Sequence, residues 1–479
     1  MSNRIVHFLV MVLTLCSMGA LGINVEEVQK AIAEKGEAWK AGDTSVVHLS
    51  PAQQRLLGGA LPEPVSVLAR KAAPQKSIPS FPLNRAIPSS WDWRSKDGKN
   101  WVSPIRNQAP YGTCVAFSTI ACLESILKIQ SGDPSLDVDL SERFLFAYGG
   151  GKSSLGWWPS QAADFLMTVG VVPESDCPYS EWDGTSPANP PTQYVHDNDT
   201  HLVENWDVVS EFYAGDYETL MKTAILDAPI MAWMEYYEDF GTYTSGVYSH
   251  TTGGDMGSHL VAVIGWDDAQ DCWICKNSWG TGWGEGGYFR IKKSTNGACS
   301  FGYYAYRLYP RTSNPMVYRN SPDVPKSIPD GTSSVTSFMG ETRGFTMPTD
   351  ITLGLFIYHT RQQDLGVWLQ NHAGQSVLAI DKKGGTYDHF EGIYLNDKSS
   401  WSLSELISYR QQSGSDMESY RGCARPDNNI SDLVSAPYGD WTLRISDDTV
   451  DETGSLSWWN LYLWAQTATM ADPANWTQY

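Results

Sequence analysis

Four residues of this 479-residue chain carry side chains whose combination could break an amide bond: Cys114, His259, Asn277 and Gln108. In "NQAPYGTCVAFSTIACLES" a turn-rich run gives way to an apolar one, with Cys114 at the junction. Phe117, Ile120, Ala121, Leu123 and Ile126 recur near helical spacing, which predicts a helix from Cys114 to about Gly132 with the thiol in its first turn. The dipole and unpaired amides of that turn favour the thiolate, the nucleophilic form. Such a nucleophile needs a base. Of the 9 histidines, His259 in "GSHLVAVIGWDD" heads an apolar run that reads as a buried strand, a rigid mount for a side chain facing a cleft. Asn277 ends the next strand, in "CWICKNSWGTGWGEGGYFRI", flanked by Trp279 and Trp283. Its amide oxygen would fix the imidazole tautomer, and an indole over that bond would exclude water. Singly, these residues read as a buried thiol, a core histidine and a turn asparagine. Together they point to acyl transfer on Cys114.

Mounting these groups requires a globular region, and the patterning from Trp91 to Pro310 supplies one. Before it, "VEEVQKAIAEKGEAWKAG" and "SPAQQRLLGG" each read as a helix, the second opening on Ser50 as cap with Pro51 in the first helical position. The proline-bearing stretch "PEPVSVLARKAAPQKSIPSFPLNRAIP" reads as an extended, cleavable linker, with Arg70-Lys71 and Arg85 as points to cut. A second proline-rich linker covers 311–325. From Gly340 to Ala465, short alternating runs such as "ITLGLFIYH" and "SWWNLYLW" carry the signature of an all-β sandwich.

Composition narrows the function classes. A chain with 42% hydrophobic and 12% aromatic residues builds packed interiors, and 479 residues exceed one ordinary core. Acidic residues outnumber basic ones by 54 to 34, a formal charge of -20, which argues against nucleic acid or an anionic membrane as partner. Arg4, the apolar run Ile5 to Leu15 and the small residues around Gly22 predict a secretory signal over 1–22, hence an extracellular or periplasmic protein with no membrane association after cleavage. Removing Cys16 with the signal leaves an odd number of cysteines, which hints at one free thiol. Cys272 and Cys275 lie three apart on a predicted strand and face opposite ways, so they neither bridge each other nor suggest a zinc site.

The stretches "PSSWDWR", "SPIRNQAPYGTCVAFS", "LSERFLF", "GSHLVAVIGWDD" and "CKNSWGTGWGEGGYFRIKK" resemble the papain-like cysteine peptidases. That resemblance implies an α+β fold of two lobes, one helical and one β-barrel-like, over 88–310, with 23–87 as an inhibitory propeptide. It makes Cys114 the nucleophile, His259 the general base and acid, Asn277 its orienter, and Gln108 a donor to the oxyanion with the Cys114 amide. It places Gly156, Trp157, Trp233 and Trp279 along the substrate cleft, with the indoles of Trp157 and Trp233 filling much of the pocket for the second residue before the scissile bond. No cofactor is implied for catalysis. The sequence departs from the family at Tyr111, Tyr148 and "TTGGDMGSH", where disulfide cysteines are usual, and at Val115, where a tryptophan is. Replacement disulfides Cys275–Cys299 and Cys122–Cys177 are the pairings to expect.

"IYHTRQQDLGVWLQNHAGQSVLAI" and "YGDWTLRISDDTVDETGSLSWWNLYLW" resemble the P domain that follows the catalytic domain of proprotein convertases and many bacterial secreted peptidases. The implied fold over 326–466 is a jelly-roll-like sandwich, with 467–479 as a tail. Asp364, Asp447, Asp448, Asp451 and Glu452 at its strand ends offer hard oxygen ligands for Ca²⁺. The expectation is a secreted, monomeric, bacterial-type cysteine endopeptidase acting on proteins or peptides and made as an inhibited proenzyme. The competing expectation is a catalytically silent homologue that binds through its β-sandwich.

Overall fold

A computed structural model of the chain describes residues 23–72, 86–188, 200–211, 216–293, 299–311, 316–331, 334–342, 348–384, 389–412, 420–435, 439–450 and 453–465. The expected signal, the tail, Arg85, Asp451 and Glu452 lie outside them.

The first helix, α1 (Val25–Lys35), is capped by the Asn24 side chain and stopped by left-handed Gly36. Strand β1 (Trp39–Ala41) then pairs with β5 (Tyr243–Tyr248) at the edge of the main sheet. The Trp39 indole, 2% exposed, packs on Tyr243 and Tyr248, so this early segment is docked by both backbone and core. Helix α2 (Pro51–Leu56) begins with a complete capping box between Ser50 and Gln53.

The first part of the stretch expected to be an extended linker instead forms helix α3 (Val65–Ala72), and 73–85 lie outside the described residues. The Pro64 carbonyl starts it by accepting from the Val67 and Leu68 amides. Val67 and Leu68, three to four positions into the run, bury in the core shared with the later domains, and that packing overrides the proline-rich composition. Arg70 and Lys71 are therefore packed helix residues and not exposed cleavage points. Arg70 donates to the Ser400 carbonyl and to Glu405, and Lys71, 5% exposed, donates to Asn205.

After β2 (Ser90–Asp92) come three helices, α4 (Cys114–Ser131), α5 (Glu142–Gly149) and α6 (Pro159–Thr168). α4 is apolar on nearly every face because it lies between α5, α6 and the sheet. Then follow β3 (Val203–Glu211), α7 (Tyr217–Ile225), β4 (Ile230–Tyr237), β5, β6 (Asp255–Asp267), β7 (Cys272–Lys276), β8 (Tyr288–Lys292) and β9 (Tyr304–Pro310). They form one sheet in the order β1-β5-β8-β7-β6-β4-β9-β3, with β2 also on β6. The result is the expected α+β pairing of a helical part with a β part.

The second presumed linker also carries structure: β10 (Met316–Asn320) pairs along β19 (Gly454–Ala465) in the next domain. That domain contains β11 (Lys326–Ile328), β12 (Ser334–Thr342), β13 (Pro348–His359), β14 (Leu365–Gln370), β15 (Ser376–Asp381), β16 (Phe390–Leu395), α8 (Leu403–Gln412), β17 (Tyr420–Ala424) and β18 (Gly439–Asp447). One sheet runs β10-β19-β13-β16-β17 with β11 on β19; the other runs β12-β18-β14-β15. Leu353, Leu355 and Leu461 of the first and Val367, Leu369 and Leu443 of the second share one core. The Trp459 indole, from β19, donates to Ser337 of β12 across that core at 2.7 Å.

This domain sits directly on α6. Gln161 both donates to and accepts from the Cys423 backbone, Asp164 accepts from the Ser400 amide and hydroxyl, and the Trp401 indole donates to Ser160. All seven described cysteines are reduced and buried, so neither expected disulfide is present. The members of one expected pair lie in different surroundings: Cys122 lies near Lys276, whereas Cys177 lies near Arg143 and Ser141. A buried thiol here serves as a small apolar side chain.

Candidate active site

Cys114 is the first residue of α4, and the Thr113 side chain, bonded to the Tyr179 hydroxyl, does not cap the helix, so the first-turn amides stay uncapped. β6, packed along α4, presents His259 and brings the backbone of Leu260 up to the Cys114 sulfur. β7 ends at Lys276 and so delivers Asn277 to the same place. His259 Nε2 and Asn277 Oδ1 are 2.8 Å apart, and that oxygen also accepts from the Ser278 amide. An oxygen that accepts twice requires the imidazole proton on Nε2, which leaves the Nδ1 lone pair free. His259 Nδ1 is buried without a hydrogen-bond partner. The Trp279 ring lies 4.9 Å from the imidazole centroid, and Trp283 backs it at a further 4.9 Å.

Gln108 completes the group. Its Oε1 accepts from the Ser278 hydroxyl at 2.7 Å, which turns its Nε2 donor toward the cleft. That donor is engaged by the Tyr111 carbonyl and, at 3.2 Å, by the carbonyl of Leu57.

Leu57 belongs to a segment that runs through the cleft. The Gly59 amide donates to the Cys114 sulfur at 3.3 Å, Gly59 accepts from the Trp157 amide, and the Leu61 amide donates back to Trp157. The Ala60 amide donates to Ser258, and the Ala60 carbonyl accepts from the Trp233 indole. Glycine is required here by close approach: a Cβ on Gly59 would sit 2.2 Å from the Gly112 carbonyl oxygen, and one on Gly156 would sit 2.1 Å from that of Gly59. The sequence signal was the Gly58-Gly59 pair, which reads equally well as a helix stop.

Covering the site reverses the expected ionisation. The helix terminus favours the thiolate, but burial outweighs it and pushes the Cys114 thiol up to about 11. Burial likewise depresses His259 to about 4, against the raising effect of Asn277. Both groups are neutral in this state.

The residues expected to line the cleft divide into two sets. Gly156 and the Trp157 backbone run beside Gly59 and Leu61, and Trp233 touches Ala60. The Trp157 ring turns away: it packs edge-on to Phe146 and fills the space above Gly149, so only one of the two indoles stands at the pocket. Trp279 lies over His259, behind the cleft.

The three expected calcium ligands among the described residues are held by protein partners. Asp447 is paired with His359 at 3.0 Å, Asp448 with Lys382 at 2.6 Å, and Asp364 with Arg361 at 3.3 Å. Among the described residues no three His, Cys, Asp or Glu side chains come together as a metal-binding group.

The model of the papain family of cysteine proteases matches residues 87–308. Macrodontain-1 of Ananas macrodontes is 33% identical over 215 residues, 44% of this chain and 92% of that protein. Fruit bromelain of Ananas comosus is 33% identical over 223 residues, and mouse pro-cathepsin H is 36% identical over 222. These matches take in 45% and 44% of this chain and 58% and 61% of those two proteins, so the chain spans only about three-fifths of their length. The fold is similar to that of procathepsin B S9 from Trypanosoma congolense, with a TM-score of 0.51 and 20% identity over 60% of this chain and 99% of that one.

Proposed function

The chain belongs to the papain family of cysteine proteases, and we propose that it is a secreted cysteine endopeptidase made in latent form, with 23 to about 87 as its inhibitor. The observation that carries this reading is the pair of bonds from Gly59 to the Cys114 sulfur and from Gln108 to the Leu57 carbonyl. A segment of the chain itself occupies the groups that a peptide substrate would need.

Once that segment leaves, water and substrate reach the thiol. His259 Nδ1 takes the Cys114 proton, and the sulfur attacks the scissile carbonyl carbon. The carbonyl oxygen becomes an oxyanion that accepts from Gln108 Nε2 and the Cys114 amide, in the position Leu57 now occupies. As the C–N bond breaks, the imidazolium gives its proton to the leaving amine, and the acyl group stays on sulfur. A water molecule, deprotonated by His259, then releases the acid and restores the thiol. Asn277 holds the ring throughout, and Trp279 shields their bond.

The apolar run near the first residues supports export, and the two-sheet arrangement of 316–465 supports the resemblance to a P domain. The acidic excess supports protein or peptide substrates over nucleic acid. The test is labelling by an epoxide thiol probe before and after cutting within 73–85. Labelling that rises on cutting and is lost in Cys114→Ser supports the reading, and a cut protein that stays unlabelled rejects it.

A further inference from the structure

Glu63 is 5% exposed, in a chain that is rich in acidic residues and keeps most of them in water. Its two carboxyl oxygens accept from the Ser160 amide and the Ser160 hydroxyl, each at 2.6 Å. Ser160 is the second residue of α6, a ten-residue helix whose own cap, Trp158, contributes no side-chain bond. Glu63 therefore supplies the missing cap from another segment. The Tyr306 hydroxyl, fully buried and otherwise without a partner, lies beside the same carboxyl. The Trp401 indole donates to the Ser160 hydroxyl oxygen at 2.8 Å, which leaves the serine proton directed at Glu63. Donors are thus fixed around one carboxyl by the helical lobe, by β9 and by the C-terminal domain.

This hollow adjoins the substrate cleft. Ala60 sits at the Trp233 indole, and Glu63 follows three residues later. With the prosegment gone, Glu63 goes too: the Ser160 amide and hydroxyl lose their acceptor, and the unpartnered Tyr306 hydroxyl is left facing the emptied space. We propose that this hollow is a subsite of the mature enzyme for a substrate side chain ending in a carboxyl, placed on the side of the cleft marked by Trp233. The inference rests on the peptidase reading and adds the substrate class.

The neighbouring charges set how the subsite selects. Asp164 lies close by, held by the Trp206 indole and the Ser400 amide and hydroxyl, and Lys71, the cation that acts on Asp164, leaves with the prosegment. Burial, with Asp164 adding to it, pushes Glu63 up to about 8. Recognition is therefore by paired hydrogen bonds more than by net charge, and it is strongest in mildly acid solution.

The test uses the folded full chain, cut within 73–85 and freed of its prosegment. Peptides carrying Glu, Gln or Ala at each position on the acyl side of the scissile bond are compared at about pH 5.5. At one position Glu should exceed Ala in kcat/KM by about 10- to 100-fold, mostly through KM, as expected for two bonds to a buried carboxyl. Tyr306→Phe and Ser160→Ala should bring that ratio toward one. In parallel, calorimetry on cut Cys114→Ala measures binding of a synthetic peptide of residues 57–72, which should weaken about tenfold or more when Glu63 is replaced by Ala. Equal kcat/KM for Glu and Ala at every position, or equal binding of the two peptides, overturns the proposal. An unlabelled, inactive cut protein rejects the peptidase reading instead, and the binding measurement then decides the pocket by itself.

Discussion

Replacing Gly59 by alanine should release the active site without any cut. The backbone of Gly59 is not left-handed, so the substitution introduces no conformational strain and acts through space alone. Its methyl group would lie 2.2 Å from the Gly112 oxygen and 2.6 Å from the Gly112 carbonyl carbon, backbone atoms at the mouth of α4 that cannot move aside. The strand must lift instead. Lifting it breaks the bonds from Gly59 to the Cys114 sulfur, from Trp157 to Gly59, from Ala60 to Ser258 and from Leu61 to Trp157. At about 0.5–1.5 kcal/mol each, these sum to about 2–6 kcal/mol. With a factor of ten per 1.4 kcal/mol, the open fraction should rise roughly 30- to 10⁴-fold. α1, β1 and α3 keep the rest of the prosegment in place, so the melting temperature should change little. The assay is the initial rate of probe labelling of full-length protein, with its intact mass followed to exclude processing. If uncut Gly59→Ala is labelled as slowly as wild type, the covering role of this strand is refuted.

In the processed enzyme, Cys114→Ala and His259→Ala should each abolish peptide hydrolysis, whereas Gln108→Ala should lower kcat by on the order of 10²-fold, as loss of one oxyanion donor does. Latency should peak near about pH 5 to 6. His259, depressed from 6.5 to about 4 when covered, leaves docking undiminished above 6.5 and weakens it as pH falls toward 4. Glu63, raised from 4.5 to about 8, favours docking below 4.5 and loses that contribution as pH rises through 8; probe labelling across pH should therefore trace a minimum, with its alkaline arm flattened in Glu63→Gln. His359→Ala should destabilise the C-terminal domain by about 3–5 kcal/mol, because it leaves the buried Asp447 carboxylate without its partner; thermal melting measures it.

What the sequence conveyed well was whatever depends on short-range order. The thiol at a helix start, the histidine on a buried strand and the asparagine at the next strand's end are each local patterns, and the structure brings those side chains together. What it conveyed poorly depends on contacts between distant segments. Residues 65–72 carry weak helical signals under a proline-rich composition, and they become helical because Val67 and Leu68 find a core built mostly from residues beyond 110. Trp157 illustrates a second limit: its backbone position follows from alignment with a motif, but the direction of its ring follows from an empty space above Gly149, which no local pattern announces. Cysteine count failed for a related reason, since the expectation of export carried an expectation of bridges, while pairing depends on which sulfurs meet. The carboxyl pocket was invisible because Glu63, Ser160, Tyr306 and Trp401 are spread along the whole chain.

The contact between Arg70 and Glu405 joins residues 335 positions apart. A ribosome adding about 5–20 residues per second needs roughly 15–70 s to travel between them. The hydrolytic machinery is complete in sequence by Pro310, well before Ser400 and Glu405 exist to hold α3. During that interval the N-terminal segment is held by the glycine strand, by Glu63 on Ser160, by Lys71 on Asn205 and by the edge pairing of β1, but α3 lacks its ties to Ser400 and Glu405. A chain stalled or truncated after residue 310 would therefore carry a complete active centre with a half-fastened cover, and would be the form most exposed to premature self-cleavage.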